Sequence, residues 1–520
     1  MSKKFIGVLL LVSFLLLNTS AFAQKEDVIN VIISVTAESG AAAYWVEVGK
    51  AFERARPGVK INWVFPASWG DYIKKLNLAL AARQGPDVAW GNADYLNVPG
   101  RGLENLEDII SIPQEYFTEE ELAAMGPAVL YNASYPDRGL VIWPWSVYTG
   151  GIGNMIVNAT YLKSVGLSPD KIREKGWSTE EFVKAMQKIK AKYNADAFYL
   201  PPAELERAAV IIYESKKRPM YQAGLGTGCG SPYFDLETGE VILDEKLLAR
   251  SWGWVYDLIY KYKLVKAESR GFKSGDVMDA FLKGAIVGFF GGPDNLATIK
   301  RHNQDVAMRK IKGKIINAAI VPVPYVKESG FGPVPDIISV YGYYNFKQVP
   351  YKGDAHTKNV LDFCDFITSV AFQPYLAAQG FPAVDTRLYS GKYAMLPTLY
   401  DLTDPNISYW LNFMRVVNLP GSGHLLRGLA YTPEARDAIS KWYNESYIFN
   451  LEAMVYNKKT PEQAAKDTVD ALKKIGASTK IFTPKAKDVK KMMDDFERQR
   501  EVHLKQLGLW NHPLTWRGIK

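Results

Sequence analysis

Trp90, Asn92 and Asp94 alternate along the run Val88-Ala89-Trp90-Gly91-Asn92-Ala93-Asp94, so a flat aromatic face, an amide and a carboxylate leave the chain together. That set suits a solute with apolar faces and a belt of hydroxyls: a ring covers the face, while amide and carboxylate bond the belt. Upstream, Ser68 and Asp71 form an S-x-x-D helix-start signal, and Tyr72, Ile73, Leu76 and Leu80 recur on one helical face. Gly85-Pro86 is expected to stop this helix, because glycine accepts the left-handed helix end and proline cannot continue it. The apolar Val88-Ala89-Trp90 then reads as a strand whose exit carries the polar set, and strand exits are where α/β sheets hold ligands.

The elements that must position these residues read as βαβαβ. Val28 to Val35 is a β-branched run, Trp45, Val48 and Phe52 mark a helix, and Val59 to Phe65 is a second strand before the helix and strand just described. That order predicts a parallel sheet with the loops Thr36 to Ala42, Pro66 to Gly70 and Gly91 to Tyr95 on one rim. Glu38, Ser39 and Trp69 thereby join Trp90, Asn92 and Asp94 as candidate ligand contacts. For each residue alone, ordinary packing or solvation is as good a reading; their convergence on one rim favours contact.

A chain of 520 residues implies at least two domains, and 48% hydrophobic with 23% charged residues is ordinary for a soluble globular protein. Lys3-Lys4, the apolar run Phe5 to Leu17 and Ala21-Phe22-Ala23 make a signal peptide over residues 1–23, cleaved before Gln24. Without Lys3 and Lys4, 61 basic residues face 55 acidic ones, a mature net charge of +6. The basic residues are scattered and accompanied by no stacking motif, which argues against nucleic acid. Two cysteines, Cys229 and Cys364, exclude a disulfide framework; one bridge between them stays open, although Cys364 within Leu361 to Phe366 reads as a core thiol. The five histidines show no metal-ligand spacing, the glycine run Gly224 to Gly230 lacks the Lys-Ser or Lys-Thr of a phosphate loop, and G-x-S-x-G does not occur.

Longer patterns carry a resemblance. The runs F-E-R-A-R-P-G-V-K-I at Phe52 to Ile61 and G-D-Y-x-x-K-L-x-x-A-L-A-x-x-x-G-P-D-V at Gly70 to Val88 resemble the family 1 extracellular solute-binding proteins, the sugar-type receptors of ABC importers. Further pieces follow in that family's order: Gly102 to Leu106, Leu140 to Trp145 with Gly153 to Asn158, Gly176 to Phe182, Phe281 to Pro293, Pro322-Val323-Pro324, Leu361 to Ala383 and Thr460 to Ala465. The likeness runs from about Val28 to Ile475.

This resemblance implies an α/β, two-lobed periplasmic-binding-protein fold of type II, each lobe a mainly parallel sheet flanked by helices. It places lobe 1 at residues 24–146 and 290–337, lobe 2 at 147–289 and 338–475, and a C-terminal helical extension at 476–520. Hinges would lie at about Ser146 to Thr149, Gly288 to Gly291 and Asp336 to Val340. The implied function is that of the periplasmic receptor of an ABC importer: a non-enzymatic, cofactor-free monomer that closes on a sugar, an oligosaccharide above all, and delivers it to membrane permease subunits. A receptor for a peptide or phosphorylated polyol stays open, as does a secreted glycosidase working through two acids. By the same resemblance Asp94 stands where the family often places a hydroxyl-bonding acid and Trp90 lies near a stacking position. Trp145 and Tyr148 fall at the crossing between lobes, Asp294 replaces a frequent tryptophan, and Arg387 and Trp442 are further candidates.

Overall fold

The computed structural model describes residues 26–33, 40–66, 69–92, 109–135, 139–149, 153–216, 233–326, 338–369, 371–373, 383–385, 387, 404–409 and 430–506. Its strands are β1 (Asp27–Ile32), β2 (Val59–Val64), β3 (Val88–Asn92), β4 (Ser134–Tyr135), β5 (Gly139–Leu140), β6 (Trp143–Thr149), β7 (Asn154–Asn158), β8 (Gly288–Phe290), β9 (Ala318–Pro322) and β10 (Ile338–Asn345). Two compact units emerge: Met1–Gly91, Glu104–Ile110 and Tyr343–Ile367 form the first, and Asn92–Leu103, Ser111–Gly342 and Thr368–Lys520 the second.

The first unit has the expected βαβαβ start. β1 pairs in parallel with β2, Asp27 opposite Val59 and Ile32 opposite Val64, and with β3, Ile32 opposite Ala89. The end of β10 extends this sheet beyond β3, where Phe346 N donates to Asp87 O at 3.1 Å. Helices Gly40–Ala55 and Asp354–Thr368 bring Phe52 against Phe363 and Phe366, with ring centroids 5.2 and 5.4 Å apart. Cys364 is the core thiol expected, fully buried and bonded by Asn345 Nδ2 at 3.1 Å; Cys229 lies outside the described residues.

The helix Trp69–Ala81 buries Tyr72, Leu76 and Leu80, as their spacing predicts. It ends earlier than expected. Arg83, not Gly85, takes the left-handed conformation (φ 54°), because Arg83 N and Gln84 N already turn back to Leu80 O and Ala79 O, each at 2.9 Å. Ser68 lies outside the described residues.

In the second unit, β7 lies between β8 and β9 and runs antiparallel to both, unlike the mainly parallel sheet expected there. The cause is a crossover: β8 passes through the helix Pro293–Ala307 to β9, which runs the same way, and the slot left between them takes β7 reversed. This pairing also keeps residues 288–322 with β7. The unit boundaries fall at 91/92, 103/104, 110/111, 342/343 and 367/368.

Around that sheet the second unit packs helices Thr179–Tyr193, Pro202–Lys216, Glu245–Tyr260 and Pro461–Ser478 over a continuous apolar core. Trp177, read above within the resemblance, is a packing residue, 2% exposed, with Nε1 donating to Pro322 O at 2.8 Å. Phe234 bridges Val241 across a turn in which Asp235 Oδ1 accepts from Glu237 N and Thr238 N. Thr460 caps the helix Pro461–Ser478, accepting from Gln463 N at 3.2 Å. Val489 of the helix Ala486–Gln506 is buried.

Candidate functional site

In the first unit the parallel register puts the carboxyl ends of β1, β2 and β3 at one sheet edge, since Ile32 faces both Val64 and Ala89. Trp90 sits on β3 at that edge, half-buried. Its support is local: the fully buried Tyr72 donates its hydroxyl to Trp90 O, and the two rings meet edge to face at 6.5 Å. Burial raises the Tyr72 phenol above its ordinary range, so it stays a protonated donor. Trp69 begins the helix that follows the exit of β2. Asn92 is the last residue of β3 and falls just past the first unit's limit at Gly91. Glu38, Ser39 and Asp94 lie outside the described residues.

In the second unit, Trp145 is 2% exposed within β6, its ring 6.4 Å from Tyr341. Tyr148 is on the same strand. Asp294 is the second residue of the helix Pro293–Ala307, directly after the β8 exit, where Asn295 Oδ1 accepts from Gly292 N at 3.1 Å. Arg387 is held by acids: its guanidinium spans both carboxylate oxygens of Asp385 and pairs with Glu120 at 3.1 Å. Those bonds raise its pKa still further, so it is a fixed cation already engaged within its own unit.

Trp442 is a core residue. It is 3% exposed, donates Nε1 to Thr468 O at 2.8 Å, and packs against Tyr233 with centroids 4.7 Å apart. The turn after it is π-helical, Tyr443–Ile448, and the wider turn stacks Tyr443 on Tyr447 at 5.3 Å and 9°. Tyr443 also donates its hydroxyl to Glu206.

Sequence reasoning missed Glu204. It lies on the first turn of the helix Pro202–Lys216, 7% exposed, and accepts from Phe290 N of β8 at 3.0 Å and from Arg207 at 3.1 Å. Burial pushes its carboxyl up, and this outweighs the lowering by Arg207 and the Phe290 amide. The one signal in the sequence was Pro201-Pro202 ahead of an acid, a helix start with negative charge in its first turn. Among the described candidates, Trp90 is left half-buried at a strand exit, whereas Trp145 and Trp442 are enclosed and Arg387 is engaged by Asp385 and Glu120.

The family model for the bacterial extracellular solute-binding protein matches residues 36–374. No curated protein matches by sequence. Among solved structures, the GacH receptor of Streptomyces glaucescens, studied unliganded and with acarbose, is 14% identical at a TM-score of 0.59, covering 87% of this chain and 100% of its own. Maltose-bound MalE3 of T. maritima is 16% identical at 0.60, covering 86% and 99%. The maltotriose-binding protein of Thermus thermophilus is 16% identical at 0.58, also covering 86% and 99%. At these identities the likeness carries the fold alone, a two-lobed α/β architecture.

Proposed function

The chain belongs to the bacterial extracellular solute-binding protein family, and on that premise we propose that it is the receptor of an ABC importer for a carbohydrate, an oligosaccharide above all. The observation that carries the sugar reading is the breadth of the fold match: receptors described with acarbose, maltose and maltotriose each align over 86% or more of this chain. The half-buried Trp90 at the common exit edge supports it, because a sugar's C–H face needs such a surface. In this reading the chain binds without chemistry, needs no cofactor, works as a monomer and hands its ligand to permease subunits. Among the described residues no helix is long and apolar enough to cross a membrane. Export to the periplasm with cleavage between Ala23 and Gln24 is part of the proposal, and N-terminal sequencing of the secreted protein checks it.

A screen of mono- and oligosaccharides by intrinsic tryptophan fluorescence on the mature protein tests the function. A saturable change with an oligosaccharide that is recovered uncut supports the receptor. Asp94→Ala should weaken that binding about tenfold or more, the cost of a lost charged hydrogen bond of about 1.5–3 kcal/mol. Release of shorter sugars, abolished by replacing an acid, would move the protein to the glycosidase class. Binding of no saccharide at all would sink the sugar reading.

A further inference from the structure

The helix Pro293–Ala307 ends in an exposed excursion. Ala307 through Ile315 are all exposed, an unbroken run, and three of them are large apolar residues: Met308 at 56%, Ile311 at 43% and Ile315 at 66% exposure. Between and beside them stand Arg309, Lys310, Lys312 and Lys314, with Lys300 and Arg301 exposed on the preceding turns. Asp305 is the one acid from residue 300 to residue 316, and it pairs loosely with Lys310 at 3.7 Å.

The excursion is anchored. Arg309 takes the left-handed conformation that ends the helix (φ 57°), with Lys310 N donating to Asp305 O at 2.9 Å. Gly313 lies so close to Val306 and His302 that a Cβ there would stand 3.0 Å from Val306 Cγ2. Asn303 then clamps the return, its side chain accepting from Ile316 N at 2.8 Å and donating to Ile316 O at 2.9 Å. The apolar and cationic side chains are therefore presented together on a held loop.

Single exposed apolar residues are ordinary, but three within one strongly basic excursion match what interfacial segments use: cations for headgroups and apolar side chains for the acyl boundary. We propose that residues 300–315 form a docking surface for a bilayer bearing anionic phospholipid, phosphatidylglycerol in the test below. The proposal is independent of which solute the protein carries.

The mature protein is sedimented with vesicles of pure phosphatidylcholine and of phosphatidylcholine with phosphatidylglycerol. Binding is expected only to the anionic vesicles and should fall as salt is raised, since headgroup attraction is screened. Lys312→Glu with Lys314→Glu should weaken partitioning at least about tenfold, whereas Lys184→Glu with Lys188→Glu, an exposed pair on the helix Thr179–Tyr193, should leave it unchanged. Ile311→Ser with Ile315→Ser should weaken it while keeping the salt dependence. A thermal melt confirms that each variant folds. Absence of binding to anionic vesicles overturns the proposal. So does equal loss in both charge-reversed variants, which would reduce the effect to net charge, and so does binding that survives Lys312→Glu with Lys314→Glu, or a defect in uptake without any vesicle binding, which would assign the loop to a protein partner.

Discussion

Two tryptophans separate by environment in a way their sequence neighbourhoods do not reveal. Trp90 is half-buried at a sheet edge, while Trp442 is enclosed, with its indole N–H spent on Thr468 O. Trp442→Ala should cost roughly 3–5 kcal/mol of stability, because the emptied volume is lined by Tyr233 and Tyr447 and collapses poorly. Trp90→Ala should cost less stability and weaken saccharide binding. Chemical denaturation of both variants beside a ligand titration checks the contrast; a Trp442→Ala protein of unaltered stability would overturn it. Trp90 and Asn92 were legible as strand-exit residues because a strand and its exit are local features. Glu204 was not, because what marks it is burial beside Phe290 N, a residue far along the chain.

Individual elements are set by short-range signals and tied down by close approaches. Ser178 shows the first: its Oγ accepts from Glu181 N at 3.0 Å and its own N–H donates to Glu181 Oε2 at 2.7 Å, a reciprocal cap readable from the spacing alone. Gly342 shows the second. A Cβ there would overlap Ile142 and the carbonyl of Trp143, so the glycine is required by a neighbour two hundred residues away. Gly342→Ala should destabilise the protein by about 1–3 kcal/mol through overpacking, measurable as a lower denaturant midpoint with little change in slope. An alanine variant as stable as the parent would show that β6 and β10 can part without cost.

At the scale of the whole molecule, stability acquires a pH dependence from one buried histidine in the first unit. His356, 5% exposed, bonds Asp27 through Nδ1 and Asp87 through Nε2, the latter at 2.8 Å. Asp87 also accepts from Asn30 N at 2.8 Å and Lys352 Nζ at 3.2 Å, and Asp27 from Asn359 Nδ2 at 2.8 Å. Burial alone would lower the histidine, but the hydrogen bonds and charges of Asp87 and Asp27 outweigh it and raise the pKa above the ordinary 6.5. For Asp87, burial is likewise outweighed, by His356, the Asn30 amide and Lys352, and its carboxyl sits below the ordinary 3.8. The histidine's contribution is therefore complete below pH 6.5 and lost as pH rises through the raised value. That of Asp87 is complete above pH 3.8 and lost as pH falls through the lowered value. Urea unfolding between pH 5 and about 9 should show stability declining on the alkaline side, and His356→Asn should flatten that decline. An unchanged slope in the variant would remove His356 as its source.

Local order was written in the sequence. Apolar periodicity marked the helix Trp69–Ala81 and the strands β1 to β3, and chain order made their sheet parallel. Tertiary structure decided the rest. It reversed β7 between β8 and β9, set the division of the units, enclosed Trp442 and Trp145, and gathered Asp27, Asp87 and His356 into one cluster. The physical reason is range: periodicity and caps act within a turn or two of chain, whereas strand direction, burial and charge partners depend on which distant segments meet once the backbone has crossed over.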